Sequence, residues 1–83
     1  MERQEIFEQI KEILEPYVKN EEAFAAMNED TSILEDLEVN SARLVDIILA
    51  FEDEFDIEVD DESADQVVTI GDAVELIHER LEA

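Results

Sequence analysis

Apolar residues along the chain fall into three stretches of helical period, separated by looser sequence rich in acids and turn formers. In the first, Ile6, Phe7, Ile10, Ile13, Leu14 and Tyr17 recur at i, i+1, i+4, i+7, i+8 and i+11, with Glu and Lys between them. Pro16 lacks an amide donor and crowds the preceding turn, so this helix ends or kinks near Leu14 and Glu15. In the second, Leu44, Ile48, Phe51 and Phe55 form one stripe and predict a helix over 41–55. In the third, Ile70, Ala73, Val74, Ile77 and Leu81 form the buried stripe of a last helix, opened by Thr69-Ile70-Gly71-Asp72.

The joining segments are read from their turn chemistry. Residues 19–38 carry Asn20, Asn28, Glu29, Asp30, Thr31 and Ser32, with one short helical turn around Phe24 and Met27 in 21–27. Ile33, Leu34 and Leu37 are expected to pin this long connection to the core. Residues 56–61 alternate, but no second strand is available to pair with them, so they read as an extended linker with Ile57 and Val59 inward. Ser63-Ala64-Asp65-Gln66 has capping-box spacing and predicts a short third helix. The fold expected is all-α: one domain over 1–83, a four-helix bundle with a long loop between helices 1 and 2 and a short third helix.

Composition adds exclusions. At 46% hydrophobic the chain can build a core and is not a disordered acidic tail, and without cysteine it has neither disulfides nor thiolate metal sites. No run reaches the length of a membrane span, and Met1-Glu2-Arg3-Gln4-Glu5 lacks the basic start of a signal peptide, so a cytoplasmic monomer is expected. The formal net charge is −21, and the two basic residues after position 19 are Arg43 and Arg80. Such a surface repels nucleic acid and anionic membrane and speeds encounter with basic protein patches. Much of the acid clusters on the outer flank of the central helix, at Asp46, Glu52, Asp53, Glu54 and Asp56.

No self-sufficient active site is legible. His78 is the sole histidine and is expected at the surface of the last helix, which leaves a serine nucleophile without a base or an orienting third group. Counted from Asp56 as an EF-hand loop, position 6 is Asp61 and position 12 is Val67, where glycine and a bidentate acid are required. Specific calcium chemistry fails there, leaving at most loose divalent binding at Asp56, Asp60, Asp61 and Glu62. Asn40-Ser41 stands where irregular acidic sequence becomes periodic. Either residue can cap a helix, so the pair alone does not separate a cap from a functional serine.

In order and spacing, four stretches resemble the acyl carrier protein family over essentially the whole chain. Asp30-Thr31-Ser32-Ile33-Leu34-Glu35-Asp36-Leu37 is similar to the loop before its attachment site, and Ser41 falls where the family carries the serine of Asp-Ser-Leu. Phe51-Glu52-Asp53-Glu54-Phe55-Asp56-Ile57-Glu58-Val59 resembles the acidic end of its second helix, and Thr69-Ile70-Gly71-Asp72-Ala73-Val74 the start of its last. The resemblance implies a carrier, not an enzyme, with phosphopantetheine on Ser41 holding acyl groups as thioesters. It implies as partners a phosphopantetheinyl transferase and acyl-processing enzymes with basic patches, which would meet Asn40, Ala42, Arg43, Asp46, Glu52, Asp53, Glu54, Asp56 and Glu58. A pocket for the acyl chain would draw on Leu44, Ile48, Phe51, Val67, Ala73 and Leu76. Asn40, Ala42, Arg43 and Glu38 depart from the family's usual residues and point to a specialised fatty-acyl or polyketide-type pathway. A peptidyl or aminoacyl carrier, and an unmodified acidic docking adapter of the same fold, are the alternatives.

Overall fold

The structure, a computed structural model, describes residues 2–82; Met1 and Ala83, the ends of the expected 1–83 domain, lie outside the described residues. Helix α1 runs Arg3–Leu14 and passes at Pro16 into a 3₁₀ turn, Glu15–Tyr17, as the ring's missing amide and fixed φ require. One-turn α2, Glu21–Ala25, starts at Asn20, whose side chain accepts from the Ala23 amide at 3.1 Å. The central helix α3 is Leu44–Phe55, α4 is Asp61–Asp65 and α5 is Ile70–Glu82. Among the described residues there is no strand, and no helix is long and apolar enough to cross a membrane.

Three amphipathic helices supply most of the core: Ile6, Ile10 and Leu14 from α1; Ile47, Ile48, Phe51 and Phe55 from α3; Ile70, Ala73, Val74 and Ile77 from α5. The buried arc of α3 is centred between Ile47 and Ile48, because α3 packs against both α1 and α5. Leu44 lies within that arc by spacing but stands at the very start of α3, and it is half-buried. Leu81, in the last turn of α5, is likewise half-buried where full burial was expected.

The long connection is ordered by its own polar side chains. The amides of Asp36 and Leu37 both donate to the Ser32 carbonyl, and Asp36 Oδ2 accepts from the Ser32 amide at 2.8 Å. This turn sends Ile33 and Leu37 inward and rotates Leu34 out to 38% exposure, so Leu34 is not the anchor expected. Its place is taken by Val39, buried because Glu38 adopts a left-handed φ of 56° that redirects the chain. Glycine is the residue best suited to that backbone.

A second contact was not legible in the sequence. The connection lies along the start of α5, where Ser32 and Thr69 form an antiparallel bridge. Ile33 donates to the Val68 carbonyl at 3.0 Å, Ile70 to Thr31 at 3.0 Å and Gly71 to Glu29 at 2.8 Å. The first amides of α5, which no helical carbonyl can satisfy, thus find partners in the loop. A Cβ at position 71 would come 2.9 Å from the Glu29 carbonyl oxygen, so the glycine permits this approach.

Thr69 and Asp72 cap α5 reciprocally: Thr69 Oγ1 accepts from the Asp72 amide, and Asp72 Oδ2 accepts from Thr69 and Val68, all at 3.1 Å. The amides of Thr69 and then Val68 hold the Asp72 carboxyl below its ordinary value of 3.8. A carboxyl depressed in the folded state adds stability above its unfolded pKa and loses it as pH falls through the folded one. Asp72→Ala is therefore expected to lose about 1 kcal/mol at neutral pH. The gap to the parent should narrow once pH drops past the ordinary carboxylate value, which urea unfolding at the two conditions will show.

The short helix starts three residues earlier than its sequence signal suggested. Asp60, in extended backbone, accepts from the Ser63 amide, while Ser63 lies inside α4 with its hydroxyl donating to Asp60 at 2.7 Å. The preceding linker is extended, with Ile57 and Val59 packed on the core as expected.

A surface carrying −21 strains the compact state through self-repulsion. Raising salt from about 10 mM to about 150 mM shortens the screening length from about 30 Å to about 8 Å. Calorimetry across that range is expected to show a rising melting temperature; a flat one would contradict the charge argument.

Candidate functional site

The site is built at the start of the central helix. Asn40 is extended (φ −64°, ψ 125°) and its side-chain oxygen accepts from the Ala42 amide at 2.9 Å, while its carbonyl accepts from Arg43 at 2.8 Å. Ser41–Arg43 then forms one 3₁₀ turn that runs into α3. Asn40 is thus the cap, and Ser41 is relieved of that role.

The other small hydroxyls are committed. Thr31 Oγ1 accepts from the Asn28 amide at 2.9 Å, Ser32 Oγ from Glu35 at 3.2 Å and Thr69 Oγ1 from Asp72 at 3.1 Å, and Ser63 donates to Asp60. Among the described residues, Ser41 is the one serine or threonine whose hydroxyl enters no hydrogen bond, and it is exposed. A phosphate joined there would meet solvent and the positive end of α3. Of the amides in the first turn, Asn40 already takes those of Ala42 and Arg43.

The acidic face is placed by the helical period. Asp46 and Asp53 lie opposite the buried arc, with Glu54 between them and the core on one side and exposed Val45 and Leu49 on the other. Asn40, Ala42, Arg43, Asp46, Asp53, Glu54, Asp56 and Glu58 are all exposed. Glu52 is turned aside: it is half-buried, and its carboxylate accepts from the Val59 amide at 3.2 Å. Arg43 pairs with Asp46 at 3.3 Å and offsets the first acid of α3. Asp56 closes α3 with a left-handed φ of 53°.

The residues expected to shelter an acyl chain divide among three places. Leu44 and Ile48 line a cleft of about 390 Å³ between α3 and α4, with Val45, Leu49 and Ala64. Val67 and Leu76 line a separate, more polar cleft of about 290 Å³ between α4 and α5. Phe51 and Ala73 line neither and are core.

Arg80 has a part that the sequence reading missed. From α5 its Nε donates to the Glu58 carbonyl at 3.3 Å, and its Nη2 donates to Asp60 Oδ1 at 3.1 Å and Ser63 Oγ at 2.9 Å. The guanidinium thereby fastens the start of α4, a helix with no fully buried residue, to α5. Asp60 is held below the usual carboxylate range first by the Ser63 hydroxyl, then by the amides of Asp60 and Ser63, with Arg80 adding. Its being one of two basic residues after position 19 was the signal available. His78, expected at the surface, is only 29% exposed at its side chain and lies 3.4 Å from Glu82. Asp56, Asp60, Asp61 and Glu62 do not converge: among the described residues no three carboxylate or imidazole groups gather as a metal site.

Residues 7–77 match the protein family described as "Phosphopantetheine attachment site". The chain is 36% identical over 81 residues to the acyl carrier protein of Petrotoga mobilis, covering 98% of this chain and 93% of that one. It is 46% identical over 57 residues to that of Phenylobacterium zucineum, covering 69% and 72%. Among solved structures, the acyl carrier protein of Enterococcus faecalis superposes with a TM-score of 0.79 at 29% identity, covering 96% of this chain and 99% of that one. The acyl carrier protein of Thermotoga maritima gives a TM-score of 0.78 at 22% identity, covering 99% and 93%, a likeness of fold.

Proposed function

The chain belongs to the acyl carrier protein family, a family of carriers whose prosthetic group is phosphopantetheine, and from that premise we propose that the arm is joined to Ser41. The observation that carries the assignment is the uncommitted, exposed Ser41 hydroxyl beside a helix cap supplied wholly by Asn40. In the joining reaction the Ser41 oxygen bonds to phosphorus as the pyrophosphate link of coenzyme A breaks. Adenosine 3′,5′-bisphosphate leaves, and the hydroxyl proton passes to a base on the transferase. No base is therefore required of this chain, in keeping with His78 lying on α5 beside Glu82. The thiol of the bound arm supplies the thioester chemistry that acyl transfer needs.

The exposed acids Asp46, Asp53, Glu54, Asp56 and Glu58 form the face that meets basic patches on the transferase and on acyl-processing enzymes. Each exposed pair contributes under about 1 kcal/mol. Binding is therefore weak and cumulative, with fast, salt-sensitive association. The Arg43–Asp46 pair offsets one acid in the first turn of α3, and Ala42 presents only a methyl next to Ser41. Both features support dedicated partners and a specialised fatty-acyl or polyketide-type pathway.

Incubation with coenzyme A and a phosphopantetheinyl transferase, followed by intact mass, tests the proposal. One added arm is expected. An unchanged mass with several transferases would favour an unmodified acidic docking protein.

A further inference from the structure

Between Lys19 and Arg80 the chain holds one lysine or arginine, Arg43, and it is exposed on the face proposed to meet partners. It closes the 3₁₀ turn that opens with Ser41, and Asp46 and Asp53 follow it along α3. Seven residues make nearly two full turns of α-helix, so those two acids form one row. Arg43 stands at the Ser41 end of that row, bonded to Asp46 at 3.3 Å. A partner that reaches Ser41 while laying charged groups along the row therefore covers Arg43 as well.

The second observation is what the guanidinium has left to offer. Arg80 commits its fork to the Glu58 carbonyl, Asp60 and Ser63, and its side chain is 31% exposed. Arg3 is held by Glu29 at 2.8 Å. Arg43 makes a single long contact through Nη1, with its side chain 64% exposed, and its Nε and Nη2 enter no hydrogen bond among the described residues. A planar fork with free donors matches a carboxylate, which it holds through two parallel bonds.

We propose that Arg43 sets partner specificity: it favours enzymes that present a carboxylate to it beside a basic group for Asp46, and disfavours those whose docking surface is basic throughout. The inference rests on attachment at Ser41 and on the acidic docking face, both proposed above. Against an all-basic surface Arg43 acts twice. It repels the cation brought opposite it, and it competes for Asp46, whose carboxylate it already holds. Against a surface with an acid followed by a base, one exposed pair within the chain is exchanged for two across the interface. Partners are thus sorted by the mismatch as much as by the match.

The test is steady-state transfer of the arm from coenzyme A, by a phosphopantetheinyl transferase of basic docking surface, onto the parent, Arg43→Gln and Arg43→Glu. Thermal melts confirm that all three proteins fold. With kcat unchanged, KM is expected to fall about threefold for Arg43→Gln and about tenfold for Arg43→Glu, the range that one or two exposed charge pairs supply. Single reversals of Lys or Arg to Glu across the transferase surface should then include one that lowers KM for the parent and raises it for Arg43→Glu. The inference is overturned, with attachment left in place, by a KM that neither substitution alters, by an effect confined to kcat, or by no reversal that favours the parent. A KM raised by both substitutions also overturns it, since the guanidinium would then be aiding the basic transferase. Absence of loading in all three proteins overturns the attachment reading and this inference with it.

Discussion

Phe51→Ala is expected to cost about 3–5 kcal/mol, the loss typical of a buried phenylalanine truncated in a packed core. Phe51 is 1% exposed and lies in the arc of α3 that faces α1 and α5. Domains of this size have about 5–15 kcal/mol in total, and here self-repulsion from a net charge of −21 subtracts from that. At about 4–8 °C per kcal/mol, the midpoint should fall by at least about 12 °C, and at low salt the variant should be largely unfolded. Urea unfolding followed by circular dichroism checks this. The same number bears on the acyl pocket, since the resemblance placed Phe51 among its lining residues. A loss under about 1 kcal/mol would mean that the ring borders open space and that the core assignment is wrong.

Ser41→Ala is expected to abolish loading of the arm completely while leaving stability within about 0.5 kcal/mol of the parent. The two outcomes belong together because the structure separates the roles of neighbouring residues. Asn40 holds the first turn through the Ala42 amide, and the Ser41 hydroxyl holds nothing among the described residues. Asn40→Ala should show the converse, losing about 1 kcal/mol as a cap while still accepting the arm, more slowly if Ser41 is drawn into the vacant capping position. Intact mass and thermal melts on the three proteins suffice. A destabilised Ser41→Ala would show that the serine caps the helix.

What could be read from the sequence was local and periodic. The three long helices follow from apolar spacing, the end of α1 from the missing amide of Pro16, and the start of α5 from Thr69 and Asp72 three apart. The place of Ser41 at a helix start was equally legible, since Asn-Ser before an apolar run has few other uses. Contacts made across the chain were hidden. Nothing near Ser32 announces that it will bridge to Thr69, and nothing near Gly71 names Glu29 as the carbonyl it must approach.

Local ambiguity accounts for the remaining differences. Leu34 and Val39 exchange roles because the Ser32–Asp36 turn rotates the first outward and a left-handed Glu38 turns the second inward, and glutamate gives no hint of that backbone. Asp60 and Ser63 both have cap chemistry, Ser63 with Gln66 three residues on, and the extended backbone of Asp60 decided between them. Ile47 was overlooked because a single stripe describes a helix with one neighbour, whereas α3 has two. The split of the expected pocket into two clefts and a core has the same origin: α4 stands off from α3, and spacing along either helix says nothing of the gap.

The whole account reduces to which oxygen of this chain becomes a phosphoester. Fragmentation mass spectrometry of the loaded protein reads that directly, peptide by peptide. The arm should be found on the peptide containing Asn40, Ser41 and Ala42, and on that serine alone. Finding it on Ser32 or Ser63, whose hydroxyls the fold already employs, would contradict the account at its base.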